Sequence, residues 1–179
     1  MEQTIRRSEK FPDLIIIERP TFNDQRGFFR EFYRHNELEE LIGRKVNFVQ
    51  TNHSHSVHGV LRGIHVSSYD KLLYLANGRA MSVMVDLRPD SPTFKQHEVF
   101  HLSADIKICL FAPPGFGNSF YVGGEVADYI YLVGDYYNPT NDTAIRWNDP
   151  ELNLPWPNEQ PIMSEQDAQA ISLEEYLNK

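Results

Sequence analysis

Short apolar and β-branched segments, separated by turn residues, recur along most of this chain, and helical periodicity is scarce. The strand-like segments comprise residues 14–17, 28–33, 72–75, 80–85, 99–102, 106–112, 119–122 and 129–133. Many short strands at regular turn spacing are typical of antiparallel sandwiches and barrels, whereas parallel strands need long crossover connections between them. The pattern therefore predicts an all-β fold, built as an antiparallel sandwich or barrel.

A few local signals define the elements further. Asn77-Gly78, between two of the strand segments, predicts a hairpin turn because both residues tolerate positive φ angles. Residues 36–41 predict a short helix, and the acidic stretch after Ser164 predicts another near the C-terminus, with a start like a capping box. The chain has no internal repeat and no low-complexity linker, so we expect a single domain over residues 1–179.

Composition excludes several classes of protein. The formal net charge of −8 argues against non-specific binding to nucleic acid or to an anionic membrane, and no apolar run approaches membrane-spanning length. Cys109 is the sole cysteine, which rules out an intrachain disulfide and is compatible with a reducing compartment. The N-terminus lacks the apolar core of a signal peptide, so we expect a cytoplasmic protein.

Residues 59–65 carry the strongest chemical signal, because they place Arg62 and His65 on one short strand-like segment with Lys71 close behind. An arginine binds anions and a histidine is the commonest general base. Side chains alternate between the two faces of a strand, so Arg62 and His65 point to the same side only if Gly63 bulges or bends the chain. The plainer interpretation is an exposed arginine beside an ordinary half-buried histidine.

The spacing of His53 and His55 suits a metal site on a strand. A barrel of the cupin type would need a carboxylate soon afterwards and a histidine on a later strand. No acid follows until Asp70, and Asn118 stands where the second motif would place that histidine. We therefore expect no catalytic metal, and we interpret these histidines as surface groups or hydrogen-bonded core groups.

Two further sets of side chains are candidates for ligand contacts. The chain has no glycine-rich phosphate loop of the common kinds, so a phosphate would have to be bound by side chains such as those of Arg26, Arg62 and Lys71. Tyr131 shares a strand face with a second tyrosine, and its phenol could exchange a proton across a pocket. Tyr137 follows a strand end, where an exposed ring could stack on a nucleotide base.

Nine or so motifs, taken in order, resemble those of the dTDP-4-dehydrorhamnose 3,5-epimerase family, the RmlC-like cupins. They comprise residues 22–31, 48–54, 59–65 with Lys71, 85–94, 102–104, 114–116, 131–137, 147–150 and 161–167. The resemblance implies a jelly-roll cupin β-barrel, a homodimer, and catalysis with no metal or organic cofactor. The implied substrate is a dTDP- or GDP-linked 4-keto-6-deoxy sugar. The implied reaction is epimerisation at C3, C5 or both, in the biosynthesis of surface polysaccharide or glycoconjugate sugars.

The same resemblance implies roles for individual residues. His65 corresponds to the base, Asp167 to the carboxylate that orients it, Lys71 to the group that stabilises an oxyanion at O4, and Tyr131 to the proton donor on the opposite face. The positions that correspond to substrate-binding ones are Arg26, Glu31, Gln50, Asn52, Arg62, Asn118 and Tyr137. The family's site also takes residues from the partner subunit.

Two departures from the common family pattern bear on the substrate. Val66-Ser67 follow His65 where most rhamnose-pathway members have tyrosine and glutamine, and Asn118 replaces a histidine. Residues 115–118 are more similar to variant members that act on other 4-keto sugars, including GDP-linked heptoses, some of which invert a single carbon. A nucleotide-sugar ketoisomerase and a catalytically silent sugar-nucleotide binding cupin remain alternatives.

Overall fold

A computed structural model describes residues 4–106, 108–138 and 141–179 of the chain. Twelve strands and three short helices are formed by these described residues. The strands are β1 (Thr4–Arg7), β2 (Ile15–Glu18), β3 (Phe22–Asp24), β4 (Gly27–Phe29), β5 (Gln50–Val57), β6 (Leu61–Ser67), β7 (Lys71–Asp86), β8 (His97–Ser103), β9 (Ile108–Ala112), β10 (Phe116–Tyr121), β11 (Val126–Val133) and β12 (Asp142–Ala144). The helices are α1 (His35–Ile42), α2 (Glu165–Ala168) and α3 (Leu173–Leu177).

Two antiparallel sheets share the long strand β7. One sheet has the order β1-β2-β9-β7-β11-β5, and the other has the order β12-β6-β10-β7-β8. Strands β3 and β4 form a separate hairpin. The predicted all-β, antiparallel fold with few short helices is confirmed.

The predicted hairpin turn at Asn77-Gly78 is wrong, because both residues lie inside the continuous strand β7. The first half of β7 pairs with β9 and β11, and the second half pairs with β10 and β8. Gly78 lies where the strand passes from one sheet to the other, beside a register shift in the pairing with β11. Its φ is +82°, and a Cβ atom there would lie 1.8 Å from the carbonyl oxygen of Val126. The glycine therefore serves a bend with close backbone approach, not a reversal.

The apolar side chains between the two sheets form the central core. Leu73, Met84, Leu110 and Phe116 are buried there. The rings of Phe120 and Tyr129 stack in this core with centroids 4.4 Å apart, and both also line a pocket that opens between the two sheets. The floor of the pocket is therefore continuous with the packed core, which fixes its shape.

The short helices agree with the sequence signals in position. Helix α1 covers the predicted residues and ends at Gly43 in the left-handed conformation. Ser164 caps α2 by accepting a hydrogen bond from the backbone N–H of Asp167. The aromatic segment 28–33 is a strand only as far as Phe29, and Lys107, in the predicted segment 106–112, lies outside the described residues. No described helix is long and apolar enough to cross a membrane.

Candidate active site

A pocket of about 490 Å³ opens between the two sheets of the barrel. That volume is within the usual range for small-molecule sites. Strands β5, β7 and β11 line it from one sheet, β6, β10 and β12 line it from the other, and α2 closes one side. The lining side chains are Gln50, Asn52, Ser54, Arg62, His65, Tyr69, Lys71, Asn118, Phe120, Tyr129, Tyr131, Val133, Tyr137, Asp142, Ser164, Gln166 and Asp167.

A strand bulge at Gly63, the condition under which Arg62 and His65 could face the same pocket, is present. The pairing of β6 with β10 shifts register between Asn118 and Phe120, opposite Arg62 and His65. Gly63 has a φ of +109°, and a Cβ atom there would lie 2.5 Å from Cβ of Ser119. Only glycine fits this position without displacement. Because of the bulge, Arg62 and His65 both line the pocket.

His65 and Asp167 form a hydrogen-bonded pair in this pocket. Nε2 of His65 lies 2.6 Å from Oδ1 of Asp167. The carboxylate is nearly buried, and the backbone N–H of Gly63 lies 3.5 Å from its other oxygen. Burial alone would raise the pKa of Asp167, but the hydrogen bond from His65, the positive charge that His65 can carry, and the hydrogen bonds from Gly63 and Ser164 together hold the pKa below the usual value. The ionised carboxylate accepts the Nε2 proton, so Nδ1 of the neutral imidazole is the basic nitrogen.

Lys71 reaches the pocket from the opposite sheet and is almost completely buried. Its Nζ donates to Oδ1 of Asn118 at 3.0 Å and lies 3.6 Å from Oδ1 of Asp142. Burial lowers the pKa of Lys71, and the charge of Asp142 acts in the opposite direction. The charge of Asp142 thus favours the ammonium form of Lys71, and an electrostatic contact with a substrate is stronger at a buried site than at the surface.

Tyr131 lies on β11 and contributes its phenol to the same pocket. Burial raises the pKa of Tyr131, while nearby Arg62 partly offsets that effect. The phenol therefore keeps its proton at neutral pH and can act as a donor. Tyr129 shares its strand face but is fully buried, with its hydroxyl 3.3 Å from Oγ of Ser82, so it is a packing residue of the pocket floor.

Nine of the eleven site residues indicated by the sequence lie around this one pocket. They are His65, Lys71, Tyr131, Asp167, Gln50, Asn52, Arg62, Asn118 and Tyr137. Arg26 and Glu31 do not reach it. Arg26 lies in the β3–β4 hairpin, where its exposed guanidinium pairs with Asp24, and Glu31 pairs with Arg34 beside a separate surface cavity.

Sequence reasoning missed Tyr69 and Asp142 among the lining residues. Tyr69 lies between β6 and β7, and the ammonium of Lys71 lies 5.7 Å from its ring centroid. Asp142 enters the site because the three-residue strand β12 pairs with β6. A strand that short leaves no recognisable periodicity, so the sequence held no signal for it.

His53 and His55 face away from the pocket. Both rings contact the same carboxylate oxygen of Asp128, at 3.0 Å and 2.9 Å. No group of three or more potential ligands that could hold a metal ion occurs among the described residues. Of the two alternatives that the sequence left open, surface groups or hydrogen-bonded core groups, these two exposed histidines agree with the first.

The pocket of this jelly-roll barrel contains a histidine–carboxylate pair, a buried lysine and a protonated phenol. Such a set of groups is typical of an enzyme that transfers protons to and from carbon by acid–base catalysis. Comparisons with known proteins identify the family within this class of enzymes. The sequence model of dTDP-4-dehydrorhamnose 3,5-epimerase matches residues 8–175, and the chain belongs to that family of nucleotide-sugar isomerases.

Individual relatives support the same assignment. A dTDP-4-dehydrorhamnose 3,5-epimerase of Salmonella typhimurium is 43% identical over 171 residues, which is 93% of each chain. The crystal structure of RmlC from Legionella pneumophila, in complex with dTDP-4-keto-L-rhamnose, superposes with a TM-score of 0.89 at 39% identity and covers 97% of this chain and 94% of that one. ChmJ from Streptomyces bikiniensis, a 3′-monoepimerase in complex with dTDP-quinovose, has a TM-score of 0.89 at 27% identity and covers 97% and 90%.

Proposed function

We propose that this enzyme epimerises a nucleotide-diphosphate 4-keto-6-deoxy sugar at C3, at C5 or at both carbons, without a metal or an organic cofactor. The observation that supports the reaction best is the 2.6 Å contact between His65 and Asp167 in a pocket that also contains Lys71 and Tyr131. Such a set provides a base, an anion-stabilising group and an acid for one carbon centre.

The base in this scheme is Nδ1 of His65. The C4 ketone of the substrate acidifies the C–H bonds on either side of it, so His65 can remove a proton and leave an enolate with its charge at O4. Asp167 fixes the ring and stabilises the imidazolium that forms, as a carboxylate does in other histidine-based sites.

Lys71 stabilises the negative charge at O4. Its buried ammonium interacts with the enolate more strongly than with the neutral ketone, and such a differential contact lowers the barrier. Removing a donor of this kind typically costs about 3 kcal/mol.

Tyr131 completes the inversion. Its phenol donates a proton to the same carbon from the face opposite His65, and the enolate returns to the ketone with the configuration inverted. His65 then carries the abstracted proton and Tyr131 has lost one, so exchange with solvent resets both groups.

Substrate recognition is assigned to the remaining polar residues. Arg62 suits the diphosphate, because a guanidinium binds phosphate oxygens with two parallel hydrogen bonds. Gln50 and Asn52, which hydrogen-bond to each other at 2.7 Å, provide amide groups on the β5 wall. Asn118 contacts the sugar, and the exposed ring of Tyr137 stacks on the nucleotide base.

A second copy of the chain supplies Arg26 and Glu31 in this proposal. The β3–β4 hairpin exposes the large apolar side chains of Phe22, Phe28 and Phe29, each more than half accessible to solvent. Phe22 and Phe29 lie opposite each other across the hairpin, and exposed apolar side chains grouped in this way are typical of an association surface. We assign it to a homodimer in which each hairpin covers the pocket of the other subunit.

Two features of the substrate are to be assigned, the nucleotide and the sugar. The named relatives above act on or bind dTDP-linked sugars, which favours dTDP, while Asn118 and Val66-Ser67 favour a sugar other than the rhamnose precursor. The single unpaired thiol, Cys109, is buried and agrees with a reaction in the cytoplasm.

The experiment offers dTDP- and GDP-linked 4-keto-6-deoxy hexose and heptose to the enzyme in deuterated water. We expect deuterium at C3, at C5 or at both in one of the four substrates, together with inversion at the labelled carbon. A product whose keto group has moved would indicate a ketoisomerase instead. Binding without incorporation from any of the four would indicate a silent nucleotide-sugar binding protein and contradict the proposal.

A further inference from the structure

The ammonium group of Lys71 is held by side chains from the opposite sheet. Lys71 belongs to β7, while its partners Asn118 and Asp142 belong to β10 and β12. Among the described residues, Asp142 is the carboxylate with which Lys71 forms an ion pair. The contacts of Asp142 therefore influence the position of the Lys71 ammonium group and the pKa at which it loses its proton.

We propose that Asp142, itself fixed by Ser67, is the positioning residue that keeps Lys71 charged and aimed at the oxyanion. The inference rests on the proposed function, because it takes Lys71 as the group that faces O4 of the substrate. It concerns a different residue, however, and it can fail while the role of Lys71 stands.

The register of two neighbouring strands fixes Asp142. Strand β12 pairs with β6 so that Asp142 lies opposite Ser67 and Ala144 lies opposite His65. Opposed residues in an antiparallel pair project to the same face, so Asp142 and Ser67 lie on the face that carries His65. Oγ of Ser67 donates to Oδ1 of Asp142 at 2.8 Å, and this is the same oxygen that faces Lys71.

Two of the N–H donors of the Lys71 ammonium group are directed at protein groups, which leaves one for the substrate. A lysine ammonium has three N–H donors and no acceptor. One is used by Asn118 at 3.0 Å, and a second is directed at Asp142 at 3.6 Å. The third remains for a substrate oxygen in the pocket that Lys71 lines. Asn118 and Asp142 together thus orient the remaining donor.

Charge gives Asp142 its second role. Burial works against the charged form of Lys71, and among the described residues Asp142 is the carboxylate whose charge favours it. Asn118 from β10 is neutral, and the phenols of Tyr69, before β7, and Tyr131, from β11, have raised pKa values. His65 from β6 becomes positive during the reaction. Asp142 is therefore the group that favours a protonated Lys71.

The test measures the titration of Lys71 directly, by NMR of protein labelled with 13C at the lysine Cε. Lys71→Arg identifies the resonance by its absence. We expect Lys71 to titrate about one pH unit lower in Asp142→Asn than in the wild type, as the loss of an opposite charge at this distance predicts. In Asp142→Glu, which retains the charge, the titration of Lys71 should return most of the way to the wild-type pH. In the exposed matched control Asp90→Asn, the titration of Lys71 should equal that of the wild type.

Kinetics provide the second measurement. In Asp142→Asn, kcat should fall by about tenfold or more, and the alkaline limb of its pH profile should move to lower pH. Ser67→Ala keeps both charges and removes the hydrogen bond that fixes Asp142, together with the one between Ser67 and Tyr69. We therefore expect kcat to fall while KM changes little, and Tyr69→Phe controls for the loss of the second bond. Ser67→Ala also provides a test if Asp142→Asn fails to fold.

The outcomes separate the two hypotheses. An unchanged Lys71 titration in Asp142→Asn, or wild-type kcat in both Asp142→Asn and Ser67→Ala, overturns the role of Asp142. Full activity in Lys71→Met would instead overturn the proposed role of Lys71 itself. An inactive Lys71→Met beside a fully active Asp142→Asn rejects only the positioning role of Asp142.

Discussion

Asp167 approaches His65 to 2.6 Å although 102 residues separate them in the chain. The short helix α2 presents the carboxylate and the bulged strand β6 presents the imidazole. Ser164 caps the helix through the backbone N–H of Asp167, so the same cap that starts the helix fixes the position of the carboxylate. The pair is thus determined by one helix start and one strand bulge.

The first prediction concerns the two members of this pair. His65→Asn should lower kcat by about a thousandfold, because general base catalysis typically contributes 10²–10⁴-fold. Asp167→Asn should also lower kcat, since a neutral amide no longer selects the tautomer with Nδ1 free. Affinity for the nucleotide sugar, measured by calorimetry, should stay within a fewfold of the wild type in both variants.

A matched control for these variants is His101→Asn, because His101 is an exposed histidine outside the pocket. It should retain wild-type kcat. Wild-type turnover by His65→Asn would show that the proton is removed by another group.

The second prediction separates the removal of a proton from its return. In Tyr131→Phe the base His65 is intact, so the substrate should still exchange C3 or C5 hydrogen for solvent deuterium. Inversion should fall by about a hundredfold or more, because the acid on the opposite face is missing. Mass spectrometry and NMR of the recovered sugar measure the two events separately. Tyr136→Phe, which alters an exposed tyrosine outside the set of lining residues, should behave as the wild type.

Loss of exchange and inversion together in Tyr131→Phe would contradict this assignment, because it would place Tyr131 in the abstraction step. Rapid inversion in the same variant would mean that a different acid returns the proton. Burial keeps the pKa of Tyr131 above its ordinary value, so inversion by the wild type should persist well above neutral pH.

Local sequence signals predicted the fold class, whereas most of the site was predicted from the resemblance to the epimerase family, which supplied Asp167, Gln50 and Asn52. Alternating segments indicated the strands, and Gly63 marked the one place where Arg62 and His65 could meet. The Asn77-Gly78 prediction failed for a physical reason. A glycine with positive φ serves a turn and a strand bend equally well, and only the pairing of β7 with both sheets distinguishes the two.

Long-range pairing explains what the sequence could not show. Asp142 enters the pocket through a strand of three residues, and no periodicity can mark so short an element. The resemblance placed Arg26 and Glu31 in the site, whereas the single chain leaves both outside it. If the two residues complete the site of a second subunit, as we propose, the fold of a single chain carries no sign of that contact.

The third prediction concerns stability, through a buried carboxylate outside the pocket. Asp86 accepts hydrogen bonds from Arg88, Ser91 and Thr93, and its side chain has no exposed surface. Burial alone would raise the pKa of Asp86, but these donors, Arg88 first, lower it to about 2 from a usual value of 3.8. A carboxyl group whose pKa is lower in the folded state stabilises the fold above the unfolded-state pKa. That stabilisation is lost as the pH falls from about 4 towards 2.

Asp86→Asn should therefore lower the free energy of unfolding at pH 7 by about 2 kcal/mol, as measured by urea titration. Between pH 5 and pH 2.5 the difference between the wild type and the variant should shrink, because the wild type loses the same ion pair on protonation. Asp90→Asn, in the neighbouring turn, should change neither the free energy of unfolding at pH 7 nor its dependence on pH. A difference that stays constant over this pH range would mean that the Asp86 carboxylate does not titrate in the window given.

The last prediction tests whether two copies share each site. If the β3–β4 hairpin of one subunit completes the pocket of the other, Arg26→Ala should raise KM by about tenfold, the typical loss for an anion contact, with little change in kcat. His65→Asn should lower kcat instead. When the two variants are mixed and allowed to exchange subunits, half of the sites in a mixed dimer combine an intact His65 with an intact Arg26 from the partner. Activity at low substrate concentration should then exceed that of either variant alone. No gain on mixing, with subunit exchange verified by mass spectrometry, would show that Arg26 acts within its own chain or does not contact the substrate.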